Sequence, residues 1–535
     1  MRAAWTLAAA MVASAPVMAQ TPVTAGATAA LPQIEEVSLT DLSAQMRAGT
    51  TTSEAVVRAY LARIAALDRT GPTLRSVIAI NPDALAQARA LDAERRAGRV
   101  RGPLHGVPIL IKDNIETADP VATTAGSLAL KDNITGRDAP VIARLRAVGA
   151  VILGKTNLSE WANIRSTKSM SGWSAVGGLV RNPYALDRSV CGSSSGTGAA
   201  IAASFAAAGL GTETDGSVVC PSSMNGLVGL KPTVGMVSRT RVVPISHSQD
   251  TPGPMARSVA DTALLYAAMV GSDSADPATA GADAHQKDFV AALSTDALRG
   301  VRVGVIRPAM GDRLKARFEA TLAVLRAAGA VLVDVTPPKL DGVGDAEFEV
   351  FKMELKSDLN AYLATTPPAV KTRSLKDVIA FNQAHAATEM RYFGQEIFEM
   401  AEKTNGVDDP GYAAAREKSL RLASVEGIDA MLKTAGAALL VEPTYGMPWL
   451  SDPVYGDKFD GPSASELPAI SGYPHLTVPM GLVDGLPVGV SFIGPKWSDA
   501  MLLGAGYAYE QAAQARVAPS YRATVDAGAG LDGVR

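Results

Sequence analysis

VCGSSSGTGAAIAASFAAAGLGTETDGSVVCP, residues 190–221, holds two glycine-flanked serine knots, Ser193 to Ser195 and Ser217, joined by an alanine-rich run. After Gly196 the run predicts a short helix through Ala208, buried on most sides and carrying small residues for close packing. Outward from it, strands and helices alternate. Upstream lie a helix over 53–68, the β-branched run VIAI at 77–80, a helix from Asp83 to Arg96, and the apolar strand VPILIKDN at 107–114. A helix near 141–148 and the strand VILG at 151–154 follow. Downstream come VRVGVI at 301–306, a helix from Arg313 to Ala328, a helical stretch over 342–433, the strands LTVPM and VGVSFIG, and a helix from Asp499. In the helical stretch, EMRYFGQEIFEMAEK sets Met390, Phe393, Ile397 and Met400 on one stripe, expected as core, with a pocket wall as the alternative. This alternation predicts an α/β protein built on a mixed, largely parallel sheet flanked by helices. Residues 272–297, polar and rich in Ala and Asp, read as a surface connection.

The chain has 535 residues, 50 basic and 53 acidic, for a formal net charge of −3. Charge is spread throughout, so nothing resembles the basic footprint of a nucleic-acid binder, and a small-molecule or peptide partner fits better. Residues 1–19 carry one early Arg, an apolar stretch and small residues before Gln20. They predict a signal segment cleaved after Ala19, hence an exported protein, periplasmic or secreted, with no membrane span once cleaved. A loose leader over 20–36 follows. Only two cysteines occur, Cys191 and Cys220, two before Ser193 and three after Ser217. If the serines meet in space a bridge becomes feasible, but two separate buried thiols are the expectation.

Metal chemistry is disfavoured by the five histidines at 105, 247, 285, 385 and 475, which form no H-E-x-x-H, and by the lack of paired-Cys spacing. GSSSGTG matches neither the P-loop nor the dinucleotide fingerprint. Gly192 to Gly196 formally satisfies the G-x-S-x-G elbow, which would make Ser194 the nucleophile. That elbow needs a strand immediately upstream, and RNPYALDRSV at 181–190 reads as a loop. What remains is two serine knots and Lys112, the lysine ending ILIKDN.

Here the sequence resembles the amidase signature family of serine hydrolases. Lys112 matches its strand-end lysine, CGSSSG its Gly-Gly-Ser-Ser-Gly-Gly segment, and GTETDGSVVCPSS its Gly-Thr-Asp-x-Gly-Gly-Ser segment, with Ser193 and Ser217 separated by 24 positions. LHGVPILIKDNI, GKTNLSEWA, GLVGLKPTVGMVS, DTPGPMARSVAD and GLPVGVSFIG extend the likeness over residues 37–510. GTETDGS and SQDTPGPMARSV look closest to bacterial peptide amidases. The resemblance implies one large domain over 37–515, a divergent helical substrate region at about 272–445, and a tail at 516–535. It also implies Ser217 as nucleophile, Ser193 as a relay serine entered by a cis peptide bond, and neutral Lys112 as terminal base. Backbone N–H groups of Thr214, Asp215, Gly216 and Ser217 would form the oxyanion hole, and no cofactor or metal would be needed. Many relatives have glycine where this chain has Asp215, so its carboxylate is expected to face away or be paired. Lys155 is expected as a packing residue, His247 and His475 as structural, and Ser222 and Ser223 as finishing a turn. The alternatives are the same machinery on aryl, acyl or fatty amides, or a non-catalytic exported binding protein.

Overall fold

Eleven strands form one sheet. In chain order they are β1 (Val77–Ile80), β2 (Pro108–Lys112), β3 (Val151–Thr156), β4 (Ala208–Glu213), β5 (Val228–Lys231) and β6 (Thr251–Ala256). They continue with β7 (Arg302–Ile306), β8 (Val331–Val335), β9 (Leu439–Pro443), β10 (His475–Val483) and β11 (Leu486–Ile493). Across the sheet the order is β1-β3-β2-β4-β6-β5-β10-β11-β9-β7-β8. The sheet is mixed, as expected, but not largely parallel, since six of its ten neighbouring strand pairs run antiparallel. β2 runs parallel to β3 and β4, and β7 parallel to β8 and β9, while the strands between these two blocks pair antiparallel. Helices cover it, and residues 32–525 make one compact α/β unit.

This computed structural model describes Met1 and residues 31–525. The expected cleavage site, residues 20–30 of the leader and the last ten residues of the expected tail lie outside the described residues. Ordered packing begins before residue 37: Ile34 is buried, and the Glu36 N–H donates to Ser204 Oγ at 3.1 Å. No helix among the described residues is long and apolar enough to cross a membrane.

β2 explains where the site sits. All five of its residues are buried, because neighbours in the sheet cover both edges and helices cover both faces. Its parallel register, with Leu110 beside Gly209 and Ile111 beside Leu210, brings Lys112 level with the C-terminal end of β4. The helix predicted to reach Ala208 spans only Ser195–Ala202, and Ala208 instead opens β4. Alanine and glycine hide this strand from a propensity reading, yet packing requires them. A β-carbon at Gly211 would stand 2.6 Å from Ser194 Oγ and 2.9 Å from Met255 Sδ.

Two further expectations change. The segment from Glu389 is not one striped helix, because Ala386–Glu389 and Glu396–Glu402 are separated by a break that contains Gly394. Phe393 therefore leaves its neighbours and packs with Met170 and Trp173, under the Arg165 guanidinium at 4.3 Å. Ser222 and Ser223 lie inside the helix Val219–Met224 rather than in a turn.

The start of the Ser195–Ala202 helix is knitted to the sheet. The Gly196 N–H donates to the Asn157 carbonyl at 2.9 Å, and the Asn157 N–H to the Ser76 carbonyl at 2.8 Å. A β-carbon at 196 would collide with both carbonyl oxygens, and backbone cannot move aside as a side chain can. Gly196→Ala is expected to lower stability by about 1–3 kcal/mol, seen as a lower urea midpoint with an unchanged slope.

Candidate active site

Lys112 ends β2 with its amine inside the protein, 0 % exposed. Nζ lies 2.8 Å from Ser193 Oγ, 2.9 Å from Thr212 Oγ1 and 3.2 Å from the Thr212 carbonyl oxygen. A neutral amine has two N–H donors and one lone pair. Thr212 takes both donors, which leaves the lone pair for the Ser193 hydroxyl. Ser193 Oγ is in turn 3.0 Å from Ser217 Oγ. Exposure is 0 % at Ser193 and 7 % at Ser217, so Ser217 is the member of the chain that an outside molecule can reach.

Burial dominates the electrostatics. It lowers the Lys112 pKa from its usual 10.5 to about 7, against the opposing pull of the Asp250 and Glu213 carboxylates. Those acids are occupied elsewhere. Glu213 Oε2 accepts the Val218 and Val219 N–H groups at 2.7 and 3.0 Å, at the start of the helix that follows Ser217. Asp250 Oδ1 accepts the Thr214 hydroxyl at 2.6 Å, and Oδ2 the N–H groups of Ile245 and Ser246 at 2.8 and 3.0 Å. Burial raises Asp250 to about 6.

The loop between β4 and the Val219–Met224 helix has a feature of its own. Among the described residues, the N–H groups of Thr214, Asp215, Gly216 and Ser217 donate to no acceptor in the loop and turn hydrogen bonds. Four successive donors beside the Ser217 hydroxyl can stabilise an anion. The peptide bond Gly192–Ser193 is cis. Ser194 does not meet the elbow alternative: its Oγ donates to the Thr212 carbonyl at 3.1 Å and accepts the Thr212 N–H at 3.2 Å, and no strand precedes it.

Comparison with known proteins decides the lineage. The amidase family matches residues 55–503. The chain belongs to the amidase signature family. It is similar to the peptide amidase from Stenotrophomonas maltophilia, with 51 % identity and a TM-score of 0.86 over 91 % of this chain and 99 % of that one. A probable amidase from Arabidopsis thaliana is 38 % identical over 502 residues, covering 91 % of this chain and 92 % of its own. A putative amidase from Arthroderma benhamiae is 37 % identical over 494 residues, 86 % and 79 % of the two chains. The protein is thus an amidase, a hydrolase acting on amide bonds.

Other predicted residues of the amidase fall as follows. Cys191 and Cys220 are bridged, not separate thiols, because the meeting of Ser193 and Ser217 brings their Cα atoms to 5.9 Å. Asp113 points away from Lys112 and pairs with Lys155 at 3.3 Å, and Lys155 also donates to the Ile115 carbonyl and to Thr123 Oγ1. Asp215 turns to Ser465 and does not act on Lys112. His475 is buried and held near a pKa of 3, with Nε2 against Ser491 Oγ. His247 sits between Asp358 and Glu354, far along the chain from the serines. Sequence reading gave no role to Thr212, Glu213, Asp250 or Asn114, whose Nδ2 donates to Thr212 Oγ1 at 2.9 Å. All four lie inside quoted motifs, Asn114 two positions after Lys112, so membership of the motifs was the available signal.

A lysine with a pKa near 7 in the fold and 10.5 when unfolded destabilises the native state as pH falls from 10.5 to 7, because only the unfolded chain takes up the proton there. The effect levels off below 7. It amounts to roughly 5 kcal/mol at full extent, so Lys112→Met is expected to gain on the wild type in urea denaturation between pH 10 and pH 7.

Proposed function

We propose that this amidase removes the C-terminal amide of peptides through an acyl-enzyme on Ser217. The observation that carries the reading is the unbroken run from Ser217 Oγ to Ser193 Oγ at 3.0 Å and on to Lys112 Nζ at 2.8 Å, ending in a dry amine. At the start of the reaction Ser217 passes its proton to Ser193 as Ser193 passes its own to Lys112, and Ser217 Oγ attacks the amide carbonyl carbon. The carbonyl oxygen takes up negative charge among the N–H groups of residues 214–217. Each such donor is worth about 10²–10³ in rate. The new ammonium at Lys112 then returns a proton through Ser193 to the departing nitrogen, which leaves as ammonia. Water attacks the ester by the same relay in reverse and frees the acid. The likeness to a peptide amidase over 91 % of the chain supports the substrate class.

Export is part of the proposal. The N-terminal sequence has the pattern of a cleaved signal, and a Cys191–Cys220 bridge suits an oxidising compartment such as the periplasm.

Mass spectrometry of a mixture of peptide, aryl and fatty amides is expected to show loss of the terminal amide from peptides. Ser217→Ala is expected to lose on the order of 10⁴-fold or more in kcat. The base must be neutral, so kcat/KM should rise with pH and level off above about 7. Full turnover by Ser217→Ala would remove the nucleophile, and preferred release from an aryl or fatty amide would replace the substrate class.

A further inference from the structure

Three carboxyl groups gather beside the nucleophile, and the buried Lys231 charge acts on one of them, Asp215. Asp215 stands two residues before Ser217 and hydrogen-bonds Ser465, whose neighbour Glu466 supplies a second carboxyl. Glu347, from the helix Val343–Ala364, supplies the third and is 7 % exposed. Burial raises all three carboxyls, and Asp215 and Glu466 raise Glu347 further by repulsion. Among the described residues none of the three makes an ion pair. The charge of buried Lys231 reaches Asp215, but its amine donates to the Pro232 carbonyl at 3.0 Å.

A second observation is a surplus of acceptors. Gln249 is wholly buried, and its Nε2 donates to Glu347 Oε1 at 2.8 Å and to the Thr214 carbonyl at 3.3 Å. Its Oε1, like Asp215 Oδ1, is buried with no hydrogen-bond partner. Buried acceptors in native proteins are ordinarily satisfied. Donors brought by a ligand would satisfy these.

Of the three, Glu466 lines a cavity of about 380 Å³ whose wall includes Leu340, Met431, Leu440, Ile493 and the Glu442 carboxyl. Apolar walls with acids at one side fit a long aliphatic stem that ends in a cation.

We propose that Asp215, Glu347 and Glu466 form a subsite for a positively charged side chain of the substrate, so that the preferred amides are those of peptides bearing a lysine- or arginine-like group. This rests on the peptide-amide reading above. A substrate cation would bring N–H donors to the vacant acceptors and offset the mutual repulsion of the three carboxyls, and its stem would displace water from the apolar wall.

The test compares kcat/KM of the full-length enzyme on N-acetyl-lysine amide, N-acetyl-arginine amide, N-acetyl-norleucine amide and N-acetyl-glutamate amide at low salt. Norleucine keeps the stem and drops the charge. The lysine and arginine amides are expected to exceed the norleucine amide about tenfold or more, with the glutamate amide lowest. Glu347→Gln and Glu466→Gln should each reduce the lysine-to-norleucine ratio, mainly through KM. Because the ratio is read within one protein, partial loss of folded enzyme does not alter it. Equal or better turnover of the norleucine amide by the wild type would overturn the cation subsite and leave the peptide-amide reading standing. No turnover of any of the four would overturn both.

Discussion

A basic amine has to be kept uncharged near neutral pH, and most of the architecture around β2 serves that end by keeping it dry. Burial alone would leave the amine's two N–H groups unsatisfied, which is costly for any polar group taken from water. Thr212 removes that cost by offering its hydroxyl and carbonyl from the neighbouring strand. Parallel pairing of β2 and β4 is what places the two residues side by side. The helix Ser195–Ala202 then packs on the strand ends and holds the serine knot over the amine, with Ser194 fastened to the backbone of Thr212.

The surrounding acids work against this arrangement, and their placement limits the damage. Glu213 and Asp250 both favour the ammonium form of Lys112, yet both Asp250 oxygens and Glu213 Oε2 accept N–H or hydroxyl donors of the loops that carry the site. They therefore shape the loop over residues 214–217 more than they charge the lysine. Asp250 is itself raised to about 6 by burial, while Lys112 is lowered to about 7 by the same cause.

Lys112, Ser193 and Ser217 were singled out because their short motifs resemble those of the amidase signature family, and the structure brings the three side chains within hydrogen-bond reach of one another. The helices and most strands were legible from apolar periodicity. β4 was not, because its packing against Ser194 and Met255 demands glycine where a strand signal would show branched residues. The disulfide was only conditionally legible, since it depends on the two serine knots meeting. Thr212, Glu213 and Asp250 were unreadable as contributors for a different reason. Their roles lie in which backbone groups they satisfy, and a sequence does not display that.

The helix Val343–Ala364 is tied to the loop bearing Ser217 by polar contacts. Glu347, Glu354 and Asp358 recur at intervals of seven and four, so they share one face. That face meets the segment Ile245–Asp250. Glu354 accepts the hydroxyls of Ser246, Ser248 and Tyr412 together with the Ser248 N–H, while Asp358 accepts the His247 N–H. The same segment ends at Asp250, which grips Thr214. A change in this helix region is therefore transmitted through a few short polar contacts to the loop bearing Ser217. The segment is held by full hydrogen-bond satisfaction of buried carboxyls rather than by apolar packing, and such contacts have strict directions. The face that carries Glu347, Glu354 and Asp358 and the loop bearing Ser217 are thus mechanically joined through the segment Ile245–Asp250.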